Sequence, residues 1–496
     1  MPTISDNIDA IAGALPKVTD TFEGAYGNKG LLYVVRKNKL IAILKDWQVI
    51  YVPEGGIALV DAIAPSSFSI GDKVYNVPAG ITYVELGLTA PITGNDMYNK
   101  VLYQNAGIRG FGLYLDGSKN TSLGNTFTEA ADLEWLDISG MDTKAVTYGF
   151  AMCRFNPKLR KIYGKWQLPA AERADRAFMS CPALEEIDVS EAGMGKCKEM
   201  VYMFSSCSSL ISLDVSSWDT SACADMGHMF DNCSTLTSLD VSAWNTAACT
   251  TMSSMFNGCR SLTTLDVSNW NTGACTNMDS MFNGCSSLAS LDVSRWNTAA
   301  CTLMYNMFYG CSSLTTLDVS GWNTAACTGM LGVFRGCTKL ETLDLRNWDV
   351  SKATTFQWFA YNCQSLREFK TNGFYNDVVT NIYEMFRDCY LLESIDLTGL
   401  NPSNCVRAYG ALSFCDSLTS LRFPLMGTLP ADNNLNSSIS LSRSPLDRAS
   451  LDSIFAYDRT ANGLTNPLTV GLSSTSKALL SAEDIAAITA KGYTIV

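Results

Sequence analysis

The chain has 496 residues, of which 47% are hydrophobic and only 17% charged, with a net charge of −12. This composition excludes wholesale disorder, and the acidic balance disfavours non-specific binding to nucleic acid or to an anionic membrane. No stretch reaches the roughly 18 consecutive apolar residues of a membrane-spanning helix, so no membrane insertion is expected.

Residues 1–105 are not repetitive. "DNIDAIAGAL", from Asp6, predicts one amphipathic helix. "GLLYVVRKNKLIAILKDWQVIYVPEGGIALV" and "KVYNVPAGITYVELGL" are β-rich and punctuated by Gly, Pro and Asp. The expectation is a small β domain that attaches or oligomerises the rest. The first residues show neither a basic start nor a long apolar segment, so they do not read as a secretory signal. Assembly in a cytoplasm is expected, where the 18 cysteines are reduced thiols unless they bind metal.

From about residue 106 to 424 the chain repeats. Cys181, Cys207, Cys233, Cys259, Cys285, Cys311, Cys337, Cys363, Cys389 and Cys415 lie 26 residues apart, each followed three residues later by leucine. Cys197, Cys223, Cys249, Cys275, Cys301, Cys327 and Cys405 form a second column, its gaps filled by Ala353 and Val379. Trp218, Trp244, Trp270, Trp296, Trp322 and Trp348 form a third, continued by Phe374 and Leu400. Phe204, Phe230, Phe256, Phe282, Phe308 and Phe334 form a fourth. A fixed period of this length marks a solenoid. In one unit, Leu262-x-x-Leu265-Asp266-Val267 alternates like a short strand, and "WNT" then turns the chain. Cys249, Met252, Phe256 and Cys259 are spaced by three, four and three, which predicts a short helix with one buried face. Gly258, Gly284, Gly310 and Gly336 follow where a left-handed residue is wanted, with Asn232 and Ser206 in the same place elsewhere. Leu159 with Ile162, and Leu133, Leu136, Asp137 and Ile138, extend the pattern backwards, and "IRGFGLYL" from Ile108 is a candidate first coil. The expected fold is α/β, a right-handed solenoid of about twelve coils. Residues 425–496 are expected to cap it, with a helix in "SPLDRASLDSIF" and another after Ser481, with Glu483 and Asp484 in its first turn. Gly492 closes that helix and a short strand follows.

The phrase "MFxGCSSLTTLDVSNWNT" resembles the 26-residue leucine-rich repeat of bacterial surface proteins, the BspA-like group, over roughly residues 130–424. The C-terminal ending is similar, more loosely, to those of repeat proteins of bacterial surfaces and of bacteriophages. The resemblance implies a leucine-rich-repeat solenoid and a binding or adhesive role.

Each chemically suggestive column has two readings. The two cysteine columns are ten residues apart along a helical face, roughly 15 Å, too far for a bridge. No Cys-x-x-Cys occurs and His228 is the only histidine, so zinc has no local ligand set. Cys207, Cys233, Cys259, Cys285 and Cys311 therefore read as small buried hydrophobes. Trp218, Trp244, Trp270, Trp296 and Trp322 are either stacked core residues or an exposed sugar platform. Asp188, Asp214, Asp240, Asp266, Asp292, Asp318 and Asp344 predict an outward acidic stripe, solvated or assisted by Ca²⁺, with Lys370 and Arg422 interrupting it. No pair of carboxylates is set apart from the others, and His228 sits in a column that Ser254, Ser280 and Asn306 fill elsewhere, so catalysis is not expected.

The expected function is non-enzymatic binding or assembly: a bacteriophage virion appendage whose N-terminal domain attaches to the particle and whose solenoid meets a protein or glycan on a host surface. A bacterial cell-surface adhesin is the alternative, and self-association through the N-terminal domain is compatible with both.

Overall fold

A computed structural model describes residues 122–430 and 439–496 in full and, ahead of them, the backbone of seven strands. The helix expected over "DNIDAIAGAL" lies outside the described residues. The chain divides into two compact units, Met1–Trp244 and Asn245–Val496.

In the first unit, β1 (Leu32–Arg36), β2 (Lys39–Leu44) and β3 (Gln48–Val52) form an antiparallel meander. A separate hairpin pairs β4 (Ser66–Ile70) with β5 (Lys73–Val77). β6 (Tyr83–Leu88) lies antiparallel to β3 but parallel to β7 (Gly110–Leu115). From there the sheet is parallel through β8 (Trp135–Met141), β9 (Lys161–Lys165) and β10 (Glu186–Asp188). The meander and the coils thus share one eight-stranded sheet, and β6 is its first parallel rung. The register follows the core leucines: Leu136 pairs with Ile162 and Ile162 with Ile187.

In the second unit, β11 (Thr342–Asp344), β12 (Glu368–Lys370), β13 (Ser394–Asp396) and β14 (Ser420–Arg422) form a parallel sheet. A further parallel sheet follows, of β15 (Ile439–Leu441), β16 (Leu468–Leu472) and β17 (Tyr493–Ile495). Around it lie α1 (Arg448–Ile454), α2 (Ser474–Lys477) and α3 (Ala482–Ala490). Both expected helices form. Asp447 accepts from Ser450 N at the start of α1, and Ser481 and Asp484 make a reciprocal capping box at α3. Gly492 follows α3 with φ +89°. The hydroxyls of Ser450 and Ser453 accept the backbone N–H groups of Leu421 and Phe423, so α1 covers the edge of β14.

Two local expectations fail. Among the described residues no strand is formed between Asp188 and Thr342, although "LDV" keeps its buried–exposed–buried alternation in each coil. The expected coil helix is also absent: Met252–Gly258 is a run of tight turns, closed by Met255 N to Met252 O and Asn257 N to Ser254 O. Ser254 and Gly258 are left-handed, at φ +54° and +71°, which breaks any α-helix. Its alternate N–H groups instead donate to the next coil: Met252 to Asn277 O, Ser254 to Asp279 O, Phe256 to Met281 O and Gly258 to Asn283 O. This ladder supplies regular inter-coil bonding where the strand face makes only isolated bonds, such as Thr237 N to Ile211 O, and exposed backbone on that face can be hydrated.

Candidate functional site

The columns that looked reactive point inward. Cys207 and Cys233 in the first unit and Cys259, Cys285 and Cys311 in the second are fully buried, and none of the 18 cysteines forms a disulfide. First-column thiols donate to a backbone carbonyl of the preceding coil, in most coils that of a phenylalanine: Cys233 to Phe204, Cys285 to Phe256 and Cys311 to Phe282, at 3.2, 3.2 and 3.1 Å, with Ala360 in that place for Cys389. Second-column thiols donate to a nearer carbonyl, as Cys275 does to Asn277 O. Cysteine here is a small hydrophobe that also satisfies a buried acceptor. Burial pushes the Cys233 and Cys285 thiols up to about 12, so they stay protonated at neutral pH.

The tryptophans are core, not platform. Trp218, Trp244, Trp270 and Trp296 are 3% exposed and Trp322 is 1% exposed. Trp218 stacks on Trp244 at 6.1 Å in the first unit, and Trp270, Trp296, Trp322 and Trp348 stack in series at 6.0–6.4 Å in the second. Each indole needs an acceptor when buried. Trp244 Nε1 donates to Val215 O, Trp296 to Val267 O and Trp322 to Val293 O. Phe282 and Phe308 stack beside them at 5.7 Å. The threonine of "WNT" is buried too, and Thr298 donates to Asn323 O of the next coil.

The aspartates lie on the outside but are engaged locally. Asp188, Asp214 and Asp240 in the first unit, and Asp266, Asp292 and Asp318 in the second, are exposed, while Asp344 is half-buried. In six of them Oδ1 accepts both the N–H and the hydroxyl of the serine two residues on, as Asp292 does from Ser294. Asp344 takes Arg346 instead. These are Asx turns that shape the exit from the strand segment. The serine hydroxyls hold the carboxyls of Asp188, Asp240 and Asp292 below the ordinary range, and the Arg346 side chain does so for Asp344. Further along, β11 to β14 align Asp344 with Lys370 and Asp396 with Arg422, so the stripe alternates in sign there. Among the described residues no group of three or more His, Cys, Asp or Glu side chains is placed to hold a metal ion.

The turn face carries what sequence reasoning passed over. Its left-handed position is Tyr202 and His228 in the first unit, then Ser254, Ser280, Asn306, Gly332, Trp358, Glu384 and Gly410 in the second. His228 stacks on Tyr202 at 4.3 Å and bonds Asp231 through Nδ1 at 3.0 Å. In the second unit Tyr309, Arg335, Tyr361 and Arg387 occupy one position of four successive coils. The Arg335 guanidinium lies over the rings of Tyr309, Trp358 and Tyr361 at 4.7, 4.3 and 5.3 Å. Trp358 Nε1 donates to Glu384, which also holds Arg387 at 2.7 Å. The signal available in the sequence was departure from the repeat at these positions, and it is weaker than the repeat itself.

Residues 125–246 match the family model described as BspA type leucine rich repeat region, in six copies. Residues 198–316 and 276–399 match one described as Mycoplasma protein of unknown function, DUF285. No curated protein matches. Among solved structures, the chain is similar to a leucine rich cell surface protein from Faecalibacterium prausnitzii A2-165, at 14% identity and TM-score 0.30, over 92% of this chain and 97% of that one. It is also similar to a leucine-rich-repeat protein of Leptospira interrogans, at 13% identity and TM-score 0.23, over 82% and 100% of the two chains.

Proposed function

We propose that this chain, a solenoid carrying a BspA-type leucine-rich repeat region, is a non-enzymatic binding protein that holds an extended partner against the outer surface of its coils. One observation carries this reading: the repeated thiols, indoles and phenyl rings are all consumed as packing, and the repeated carboxylates as turn caps. What remains available is a long surface of side chains fixed on a rigid backbone, which suits recognition of a repetitive glycan or a protein array. Its setting is a surface, that of a virion, where the N-terminal β meander would attach it, or that of a bacterial cell, as an adhesin.

The test is to probe the purified full chain against arrays of glycans and host-surface proteins, and to locate it by immunogold labelling on virions and on cells. Saturable binding to a macromolecular ligand, without turnover, is expected. Hydrolysis of any array glycan that is abolished by Asp292→Asn or Asp318→Asn would overturn the binding reading. Label confined to cells removes the virion setting, and label confined to virions removes the adhesin.

A further inference from the structure

We propose that the turn face of the second unit, centred on Arg335, binds a linear acidic polysaccharide that carries a carboxylate or sulfate on alternate sugars. The proposal rests on the binding function above and gives it a place and a ligand class.

Four observations meet there. First, Tyr305, Tyr309, Trp358, Tyr361 and Tyr383 are half-buried and Tyr409 is exposed, so one face of successive coils presents aromatic rings to solvent. Trp358 and Tyr383 lie 6.3 Å apart, as do Tyr383 and Tyr409. Rings offered in series stack on the apolar faces of sugars, as they do on other flat ligands. Second, the Arg335 guanidinium is held by three of these rings and makes no hydrogen bond or ion pair with any described residue, its Nε being buried without a partner. A cation set among rings and making no ion pair is an anion site in waiting. Third, the two arginines of this column, Arg335 and Arg387, are two coils apart. The turn segments are hydrogen-bonded from coil to coil, so each step rises by about 4.8 Å and the arginines recur at about 10 Å. One step is close to the length of one sugar in an extended chain, so two steps match a charge on alternate sugars. Arg387 is held by Glu384 and Asp388, which makes Arg335 the stronger contact. Fourth, Trp358 keeps a left-handed backbone, at φ +57°, at the position its neighbouring coils fill with Gly332 and Glu384. Trp358 is the largest side chain held in this left-handed position, and it sets the ring against Arg335.

The first unit supplies the contrast. Arg176 also lies over rings, those of Phe150 and Tyr202, but it bonds the buried Asp175 at 2.9 Å. Its charge is already matched.

The experiment is calorimetric titration of the full chain with size-defined hyaluronan, chondroitin sulfate and neutral dextran. Binding of one or both acidic chains is expected, weakening with added salt, with dextran at least tenfold weaker. Hyaluronan alone identifies the carboxylate as the anion, and chondroitin sulfate alone identifies the sulfate. Arg335→Gln is expected to lower affinity at least tenfold and Trp358→Phe severalfold, while Asp292→Asn on the opposite segment leaves it unchanged. Thermal melts establish that each variant is folded. Quenching of fluorescence that is lost in Trp358→Phe gives an independent readout of contact at this face. Full affinity in folded Arg335→Gln, or equal affinity for dextran, overturns the site. Binding of array proteins but of neither acidic polysaccharide overturns the site and leaves the binding function standing. Binding of nothing on the arrays removes both.

Discussion

The inward columns and the turn face belong to the same coils and obey opposite rules. Inward, one residue type recurs: indole on indole, thiol beneath carbonyl, phenyl on phenyl. On the turn face only the backbone recurs. Tyr202, His228, Ser254, Ser280, Asn306, Gly332, Trp358, Glu384 and Gly410 share a left-handed conformation, yet they span seven residue types. Repetition therefore marks what the fold needs, and departure from repetition within a constrained backbone marks where specificity can be written.

Three perturbations test that division. The largest concerns the thiols. Burial raises Cys181, Cys233, Cys285, Cys363 and Cys415 to about 12, against about 8.5 for an exposed thiol. Their folded values lie above the unfolded ones, so the stability they contribute is complete below about pH 8.5 and is lost as pH rises through the folded values. Above about pH 8.5 each such thiol increasingly favours the unfolded chain, and the thiols of a column act in the same direction. Unfolding followed by circular dichroism is expected between about pH 9 and 10.5. The triple substitution Cys275→Ala, Cys301→Ala and Cys327→Ala should move that midpoint upward. A midpoint that does not move would break the assignment of the columns to packing.

The next contrast sets one tryptophan against another. Trp296→Ala should cost about 3–5 kcal/mol, since it opens a cavity in the ring stack and strands the Val267 carbonyl. Trp358→Gly should cost less than about 1 kcal/mol, because glycine relieves the left-handed backbone as it loses a half-exposed ring. Denaturant titration of both decides it, and equal costs would erase the distinction between the two faces.

The smallest effect concerns the aspartates. Asp292→Ala removes an exposed turn cap and should cost a few tenths to about 1 kcal/mol, with Asp292→Asn milder because the amide oxygen still accepts. The folded carboxyl lies below its ordinary value, so this contribution is present above about pH 4 and is lost as pH falls through the folded value. The wild type and the alanine variant should therefore converge in stability in strong acid. A cost of several kcal/mol would mean the column does more than cap turns.

The solenoid was legible because Cys181 to Cys415 keep their period without a slip, and a period survives any error about local structure. The helix was misjudged for a physical reason. Offsets of three and four bury one face in an α-helix, but the same offsets arise in linked turns whose every fourth residue is left-handed. Two left-handed residues four apart, Ser254 and Gly258, mark the linked turns, whereas the sequence points only to the second of them, as a helix end. The aspartates lie outside, but Asp-x-Ser is itself a turn signature, and the hydroxyl partner stands in every "DVS". Arg335 is not marked in the sequence, since nothing in a one-dimensional string shows three rings from the two flanking coils closing on it.

The backward reach of the donors has a consequence for how such a chain can change. Trp296, Cys311 and their equivalents each bond a carbonyl 29 residues upstream, and Thr298 bonds one 25 residues downstream. Within each unit, the junctions between coils that keep the tryptophan and cysteine columns are thus the same junction. A gene can gain or lose one whole 26-residue unit by unequal recombination and leave each surviving donor with an acceptor. The chain can be lengthened or shortened like a ruler cut at its graduations, and a side chain on the turn face can be moved by one graduation without redesigning the interior.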